Sequence, residues 1–191
     1  MDKKLLKNMR ERYGDSQEFL KTFNISLQPT VTRNIDKAYC GTAPRMSEVK
    51  ECYSEAILKT WLMAQLCDLN DYCGVKKKLN PRQIDELAEL IISQYSVLRV
   101  TEFMLFMTYM KSGFYGSFFG VIDPQAIMVN LIEFNKNRMA EIARVRVKLE
   151  NQEIERQRNE SQKNSITREE YELKKRRNDN EKLLYETKKV I

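Results

Sequence analysis

The chain of 191 residues contains no histidine. Without an imidazole it cannot build a Ser-His-Asp or Cys-His nucleophile system, and it has no side chain that ordinarily titrates near neutrality. Glycine and proline are also scarce, at six and four residues, whereas 42% of the residues are hydrophobic and 31% are charged. This composition argues against most hydrolytic enzymes and predicts an all-α protein with one modest core.

The sequence also lacks a long hydrophobic run. Its most apolar stretch, Phe103 to Met110, lies between Glu102 and Lys111 and is far shorter than the roughly 20 residues that span a bilayer. The N-terminus is charged from Asp2 onward and offers no apolar stretch of signal-peptide length. We therefore expect a cytoplasmic protein that does not bind membranes.

The four cysteines lack the spacing of a recognisable metal site. Cys40, Cys52, Cys67 and Cys73 contain no CxxC pair, so reduced structural thiols are favoured over a zinc site built from all four. Neither a metal, a cofactor nor a catalytic residue is predicted.

Residues 1–46 are predicted to form an N-terminal arm. Apolar residues at helical spacing in residues 1–23 indicate two short amphipathic helices that lie at the periphery. In residues 24–45 the periodicity disappears, and Pro29, Thr30-Val31-Thr32 and the Gly41 to Pro44 segment indicate an extended connector.

Residues 47–149 are predicted to form a compact helical core. Ser47 can cap a turn that leads into a helix from Val49 to Tyr72, with Trp61 as a core anchor. Asn80-Pro81-Arg82-Gln83 combines an N-cap, a proline at the first helical position and a capping-box glutamine, so a helix from Pro81 to about Tyr95 is expected.

Two further helices complete the predicted core. The helix beginning at Thr101 is apolar on nearly every side, which is typical of the buried centre of a bundle, and Gly113 is suited to end it. Asp123-Pro124 repeats the N-cap and proline combination and begins a long helix. The residues predicted to face the core at alternating four- and three-residue steps are Met128, Ile132, Met139, Ile142 and Leu149.

Residues 150–191 are predicted to form a charged helical tail. Ile154 is the only apolar residue in 150–165, so this part is either a solvated helix extension or a hinge. Thr167 and Glu170 form a capping-box pattern and predict a final helix over residues 168–191. Its apolar face is thin and includes Leu183 and Leu184, which predicts docking on a protein partner or on a second copy.

Aromatic residues are concentrated between 103 and 119. The candidate partner surface in the glycine-containing loop after the apolar helix consists of Phe114, Tyr115, Phe118 and Phe119. Exposed rings there could stack on bases or fill a partner's pocket. Inward folding is the favoured interpretation for Phe118 and Phe119, whereas Tyr115 is left open.

Lysines are the candidate phosphate contacts. Lys76, Lys77 and Lys78 lie in a short connection between two predicted helices, and Lys111 precedes the aromatic loop. Neighbouring ammonium groups can contact phosphates, although an ordinary solvated loop is the favoured interpretation of the triplet. With a net charge of +6, weak nucleic-acid binding is permitted but not required.

Two phrases carry a resemblance. Asn34 to Arg45 (NIDKAYCGTAPR) and Lys111 to Pro124 (KSGFYGSFFGVIDP) resemble an uncharacterised helical protein family of gut Bacteroidales and their mobile elements and phages. The arrangement is also loosely similar to phage-type replication accessory proteins, including helicase loaders. The resemblance implies a helical fold and an origin in a host cell or, if phage-encoded, a virion, and it brings no established activity.

Two functions from different classes follow as hypotheses. The first is a non-enzymatic adaptor in DNA replication or maintenance of a phage or mobile element, with a helicase as the protein partner. The second is a structural or assembly protein of a phage particle that forms homo-oligomers through its C-terminal helices.

Overall fold

A computed structural model describes residues 3–164 and 168–187 of the chain, with side chains over 6–162 and 169–178. These residues are all-α, and no strand occurs among them. A 3-10 turn covers Ile25–Leu27. The helices in chain order are α1 (Lys3–Tyr13), α2 (Ser16–Thr22), α3 (Gln28–Arg33), α4 (Ile35–Cys40), α5 (Met46–Cys52), α6 (Glu55–Tyr72), α7 (Pro81–Tyr95), α8 (Val100–Lys111), α9 (Pro124–Asn164) and α10 (Arg168–Thr187).

The chain divides into two compact units, residues 1–146 and residues 147–191. The predicted arm and core therefore belong to one unit. Within the described residues, no helix combines the length and the apolarity needed to cross a bilayer.

Helix α8 is the centre of the first unit. Every residue from Val100 to Met107 is buried, as the continuous apolar sequence predicts. Helices α3, α4 and α6 pack against it. Gly113 follows with a positive φ of 73°, a conformation that glycine adopts without steric cost, and the helix ends there as predicted.

Local capping signals fix the starts of α7 and α9. The Asn80 side chain accepts a hydrogen bond from the Gln83 N–H (2.9 Å), and the Gln83 side chain accepts one from the Asn80 N–H (3.0 Å). The Asp123 carboxylate accepts from the Gln125 N–H (2.9 Å). Both predicted starts are confirmed, as is the burial of Trp61.

The N-terminal region corrects the sequence-based prediction. The two amphipathic helices are present, but they are not peripheral, because Phe19 and Phe23 are buried and the Trp61 Nε1 donates to the Phe23 carbonyl (2.7 Å). The extended connector was also a wrong prediction, since much of it is helical in α3 and α4. Pro29 lies in the first turn of α3, where its missing N–H costs no intrahelical hydrogen bond.

Two helical predictions need smaller corrections. The single helix expected from Val49 to Tyr72 is two, because Ser54 begins a new helix by accepting a hydrogen bond from the Ile57 N–H (3.2 Å). The core-facing side of α9 was also misassigned. Its buried residues are Ile127, Leu131, Phe134, Arg138, Ile142 and Val145, whereas Ile132, Met139 and Leu149 are exposed.

In the second unit, the described side chains are exposed. Helix α9 continues to Asn164, which agrees with a solvated helix extension rather than a hinge before that residue. The cap proposed at Thr167 and the last residues of the predicted final helix lie outside the described residues.

Candidate functional site

Two connecting loops of the first unit are joined by backbone hydrogen bonds. The Lys77 N–H donates to the Gly120 carbonyl (3.1 Å), and the Ile122 N–H donates to the Lys77 carbonyl (3.0 Å). Gly120 has a positive φ of 75°, which glycine accommodates without strain. The connection between α6 and α7 therefore lies beside the connection between α8 and α9.

This pairing brings together two sets of residues that the sequence suggested separately. Lys76, Lys77 and Lys78 are exposed on the first loop, and Phe119 is 89% exposed on the second. Among the described residues, Lys76 and Lys77 form no ion pair, whereas Lys78 pairs with Asp71 (2.8 Å). We call residues 76–78 and 114–120 the loop surface.

The rings of the second loop divide between packing and exposure. Tyr115 and Phe118 are half-buried against the core, whereas Phe114 is 68% exposed and stacks on Tyr109 with ring centroids 4.9 Å apart. Burial raises the pKa of Tyr115 to about 12, so its hydroxyl stays neutral at physiological pH. The favoured inward orientation thus agrees with the half-burial of Phe118, and it is wrong for Phe119.

Lys111 does not belong to the loop surface. Its ammonium donates to the Gln28 Oε1 (2.8 Å), forms a short ion pair with Asp68, and lies 5.4 Å from the centre of the Tyr72 ring. The Gln28 amide also donates to the buried Gln65 Oε1 (2.8 Å). This network joins α3, α6 and α8, so the structure gives Lys111 a partner already and a role in packing rather than an open position for phosphate.

A small cleft lies between Lys111 and the aromatic loop. Its volume is about 210 Å³, and its walls include Tyr72, Cys73, Ser117 and Phe118. Burial raises the pKa of the Cys73 thiol, although Lys111 acts in the opposite direction, so Cys73 is a neutral thiol.

Other predicted site residues do not gather here. Cys40, Cys52, Cys67 and Cys73 are free thiols, and the described side chains contain no group of three or more cysteines and carboxylates that could hold a metal ion. The side chains of Leu183 and Leu184 lie outside the described residues. The sequence gave no signal for the pairing of the two loops, because its hydrogen bonds join residues more than 40 positions apart.

Comparison with known proteins gives one match. Residues 78–182 match a family of unknown function (DUF6633), and this span covers α7, α8, the aromatic loop and much of α9. Neither the curated proteins nor the solved structures contain a significant match. Because more than half of its length is matched, the chain belongs to this family of unknown function.

Proposed function

We propose that this protein is a non-enzymatic helical adaptor that binds single-stranded nucleic acid through the loop surface. The observation that carries the proposal is the pairing of Lys77 with Gly120 and Ile122, because it holds free lysines beside the exposed ring of Phe119. The resemblance to proteins of mobile elements makes DNA replication or maintenance of a phage or mobile element the proposed setting, with a helicase as partner.

The chemistry of the loop surface supports this choice. Proteins that bind single strands without sequence preference combine cations that contact the phosphates with aromatic rings on which bases stack. Lys76 and Lys77 supply the cations, and Phe119 and Phe114 supply the rings. Duplex DNA keeps its bases stacked inside the helix, so the loop surface favours a single strand or a fork.

The test is a fluorescence-anisotropy titration of labelled single-stranded DNA at several salt concentrations. Each lost phosphate contact on a single strand lowers the slope of log K against log salt by about 0.7, so replacing Lys76 and Lys77 by alanine should lower it by about 1.4. Phe119→Ala should weaken binding by about 1–3 kcal/mol.

The matched control removes the same charge elsewhere. Lys21 and Lys37 are exposed lysines of α2 and α4, and their double alanine variant should leave the slope close to that of the unchanged protein. Equal losses in the two double variants, or no binding of single strands at low salt, would rule out the loop surface as the nucleic-acid site.

A second candidate function has its own observation. The second unit exposes Leu149, Ile154, Tyr171 and Leu173, and apolar residues on solvated helices are available to pack with copies or neighbours. This favours a structural or assembly protein. Deleting residues 150–191 should then convert defined oligomers to monomers in light scattering, and a truncated chain that keeps the full-length mass would exclude this candidate.

A further inference from the structure

Helix α9 carries two apolar stripes in the first unit. One stripe is buried against the core, whereas the other contains Val129, Ile132 and Met139, which are 60%, 42% and 65% exposed. Steps of three and seven residues place these three side chains on one side of the helix. A globular helix normally needs a single apolar face, so the second stripe is unexplained by the fold.

The second stripe forms one wall of a groove. Leu87 and the 45% exposed Leu90 of α7 form the other wall, and the volume between them is about 630 Å³. We call this space the α7/α9 groove. Its remaining lining residues are Gln83, Glu86, Asp123, Pro124, Gln125 and Met128.

The dimensions of the α7/α9 groove suit a helix. Gln125 and Ile132 are seven residues apart, and continuing the stripe to Met139 gives a length of roughly 20 Å at about 1.5 Å per residue. Three to four turns of an amphipathic helix cover that length, with anchors at positions i, i+3 or i+4, and i+7.

The charges of the α7/α9 groove select the kind of helix. Both charged lining residues, Glu86 and Asp123, are acidic, although the protein as a whole carries +6. Glu86 is paired with Arg82 (2.8 Å), but both side chains of that pair are largely exposed, and such pairs contribute little. A partner with cations beside its apolar face therefore complements this rim better than an acidic one.

We infer that the α7/α9 groove binds an amphipathic helix of a partner protein whose apolar face is flanked by lysine or arginine. The inference deepens the proposed adaptor function, on which it rests, by giving the adaptor a protein-binding surface. It uses none of the lysines or exposed rings of the loop surface.

The test uses the full chain and two labelled, side-chain-stapled model helices. They share one leucine face, and they differ in carrying lysines or glutamates beside it. In fluorescence anisotropy, the basic helix should bind about tenfold or more tightly than the acidic twin. Glu86→Lys should narrow that preference from both sides, by weakening the basic helix and strengthening the acidic one, which a folding defect cannot do.

Matched variants locate the binding. Val129→Glu and Ile132→Glu place a charge in the α7/α9 groove and should each weaken the basic helix by about tenfold or more. Ile154→Glu makes the same change at an exposed position of the second unit and should leave binding unchanged. Phe119→Ala should also leave it unchanged, so that failure of the nucleic-acid proposal is distinguishable from failure of this one.

Three results would overturn the inference. The first is equal binding of the basic and acidic helices, and the second is binding that survives both glutamate substitutions. The third is a dimer in light scattering that Ile132→Glu converts to a monomer, because the groove would then be covered by a second copy.

Discussion

At the scale of single residues, the first unit contains a buried ion pair. The Arg138 Nε donates to the Glu102 Oε1 (2.8 Å), and the two residues are 8% and 0% exposed. The other oxygen of Glu102 accepts from the Arg99 N–H (2.7 Å) at the start of α8. One carboxylate therefore caps the central helix and satisfies a cation from α9.

Removing one partner of this pair should be costly. Arg138→Met leaves the Glu102 carboxylate buried without its cation, and such changes cost about 3–5 kcal/mol in the free energy of unfolding. Arg144→Met is the control, because Arg144 pairs with Glu141 at the surface, where the loss is about 0–1 kcal/mol. Urea denaturation measures both, and equal losses would contradict the assigned burial.

Buried tyrosines should make the protein sensitive to alkali. Burial raises the pKa of Tyr53 and of Tyr115 from 10.0 to about 12. Between these values the folded state binds more protons than the unfolded state, so the free energy of unfolding should fall as pH rises from 10 to 12. Below that window these groups should give no pH dependence.

The measurement is urea denaturation at a series of pH values across this window. Tyr53→Phe removes one titrating hydroxyl, which donates to the Gly14 carbonyl (3.0 Å), and should make the fall shallower. Tyr171→Phe, at an exposed position of α10, should leave the slope as it is. An unchanged slope in the Tyr53 variant would count against this origin of the pH dependence.

At the scale of helices, α2 anchors the N-terminal region. Phe19 is fully buried, and its ring lies 5.1 Å from that of Phe23 and 5.2 Å from that of Tyr53. The side chain therefore joins α2 to the segment between α5 and α6. A region that would be dispensable as a peripheral arm is part of the main core.

Phe19→Ala should consequently lower the free energy of unfolding by about 3–5 kcal/mol, because it leaves a cavity among packed rings. Phe119→Ala deletes the same atoms from an 89% exposed position and should change stability by less than about 0.5 kcal/mol. Thermal or urea unfolding compares the two. A small effect at Phe19 would restore the peripheral interpretation.

The helices predicted best from the sequence are those with local start signals. Asn80-Pro81 and Asp123-Pro124 determine their own helix starts, because caps depend on residues only two or three positions apart. Residues 28–40 were missed because Pro29 and the β-branched residues after it also suit an extended chain, and tertiary packing against α8 decides between the two. Two candidate stripes on α9 could not be ranked without knowing which one meets the core.

At the scale of the whole molecule, the buried core lies within the first unit. Every residue of the hydrophobic cluster precedes Arg146, and the described side chains of the second unit are exposed. A chain of residues 1–146 should therefore fold alone. We expect helical circular dichroism and a single cooperative thermal transition close to that of the full chain, and a non-cooperative melt would contradict this.

The candidate site was predictable in its parts and not in its assembly. The lysine triplet and Phe119 stand out by composition, but nothing near Lys77 in the sequence indicates that it pairs with Gly120. Lys111 illustrates the opposite case. Its position beside the aromatic loop suggested a phosphate contact, whereas Asp68 and Gln28, distant in sequence, already occupy its ammonium.

The link between the two connecting loops also bears on the entropy of binding. Lys77 uses both its N–H and its carbonyl in that link, so neither loop is free to rearrange independently around it. A ligand that stacks on Phe119 would find its binding surface preorganised, and it would lose less affinity to ordering the chain. The amide protons of Lys77 and Ile122 should accordingly exchange slowly with solvent even before any ligand is present.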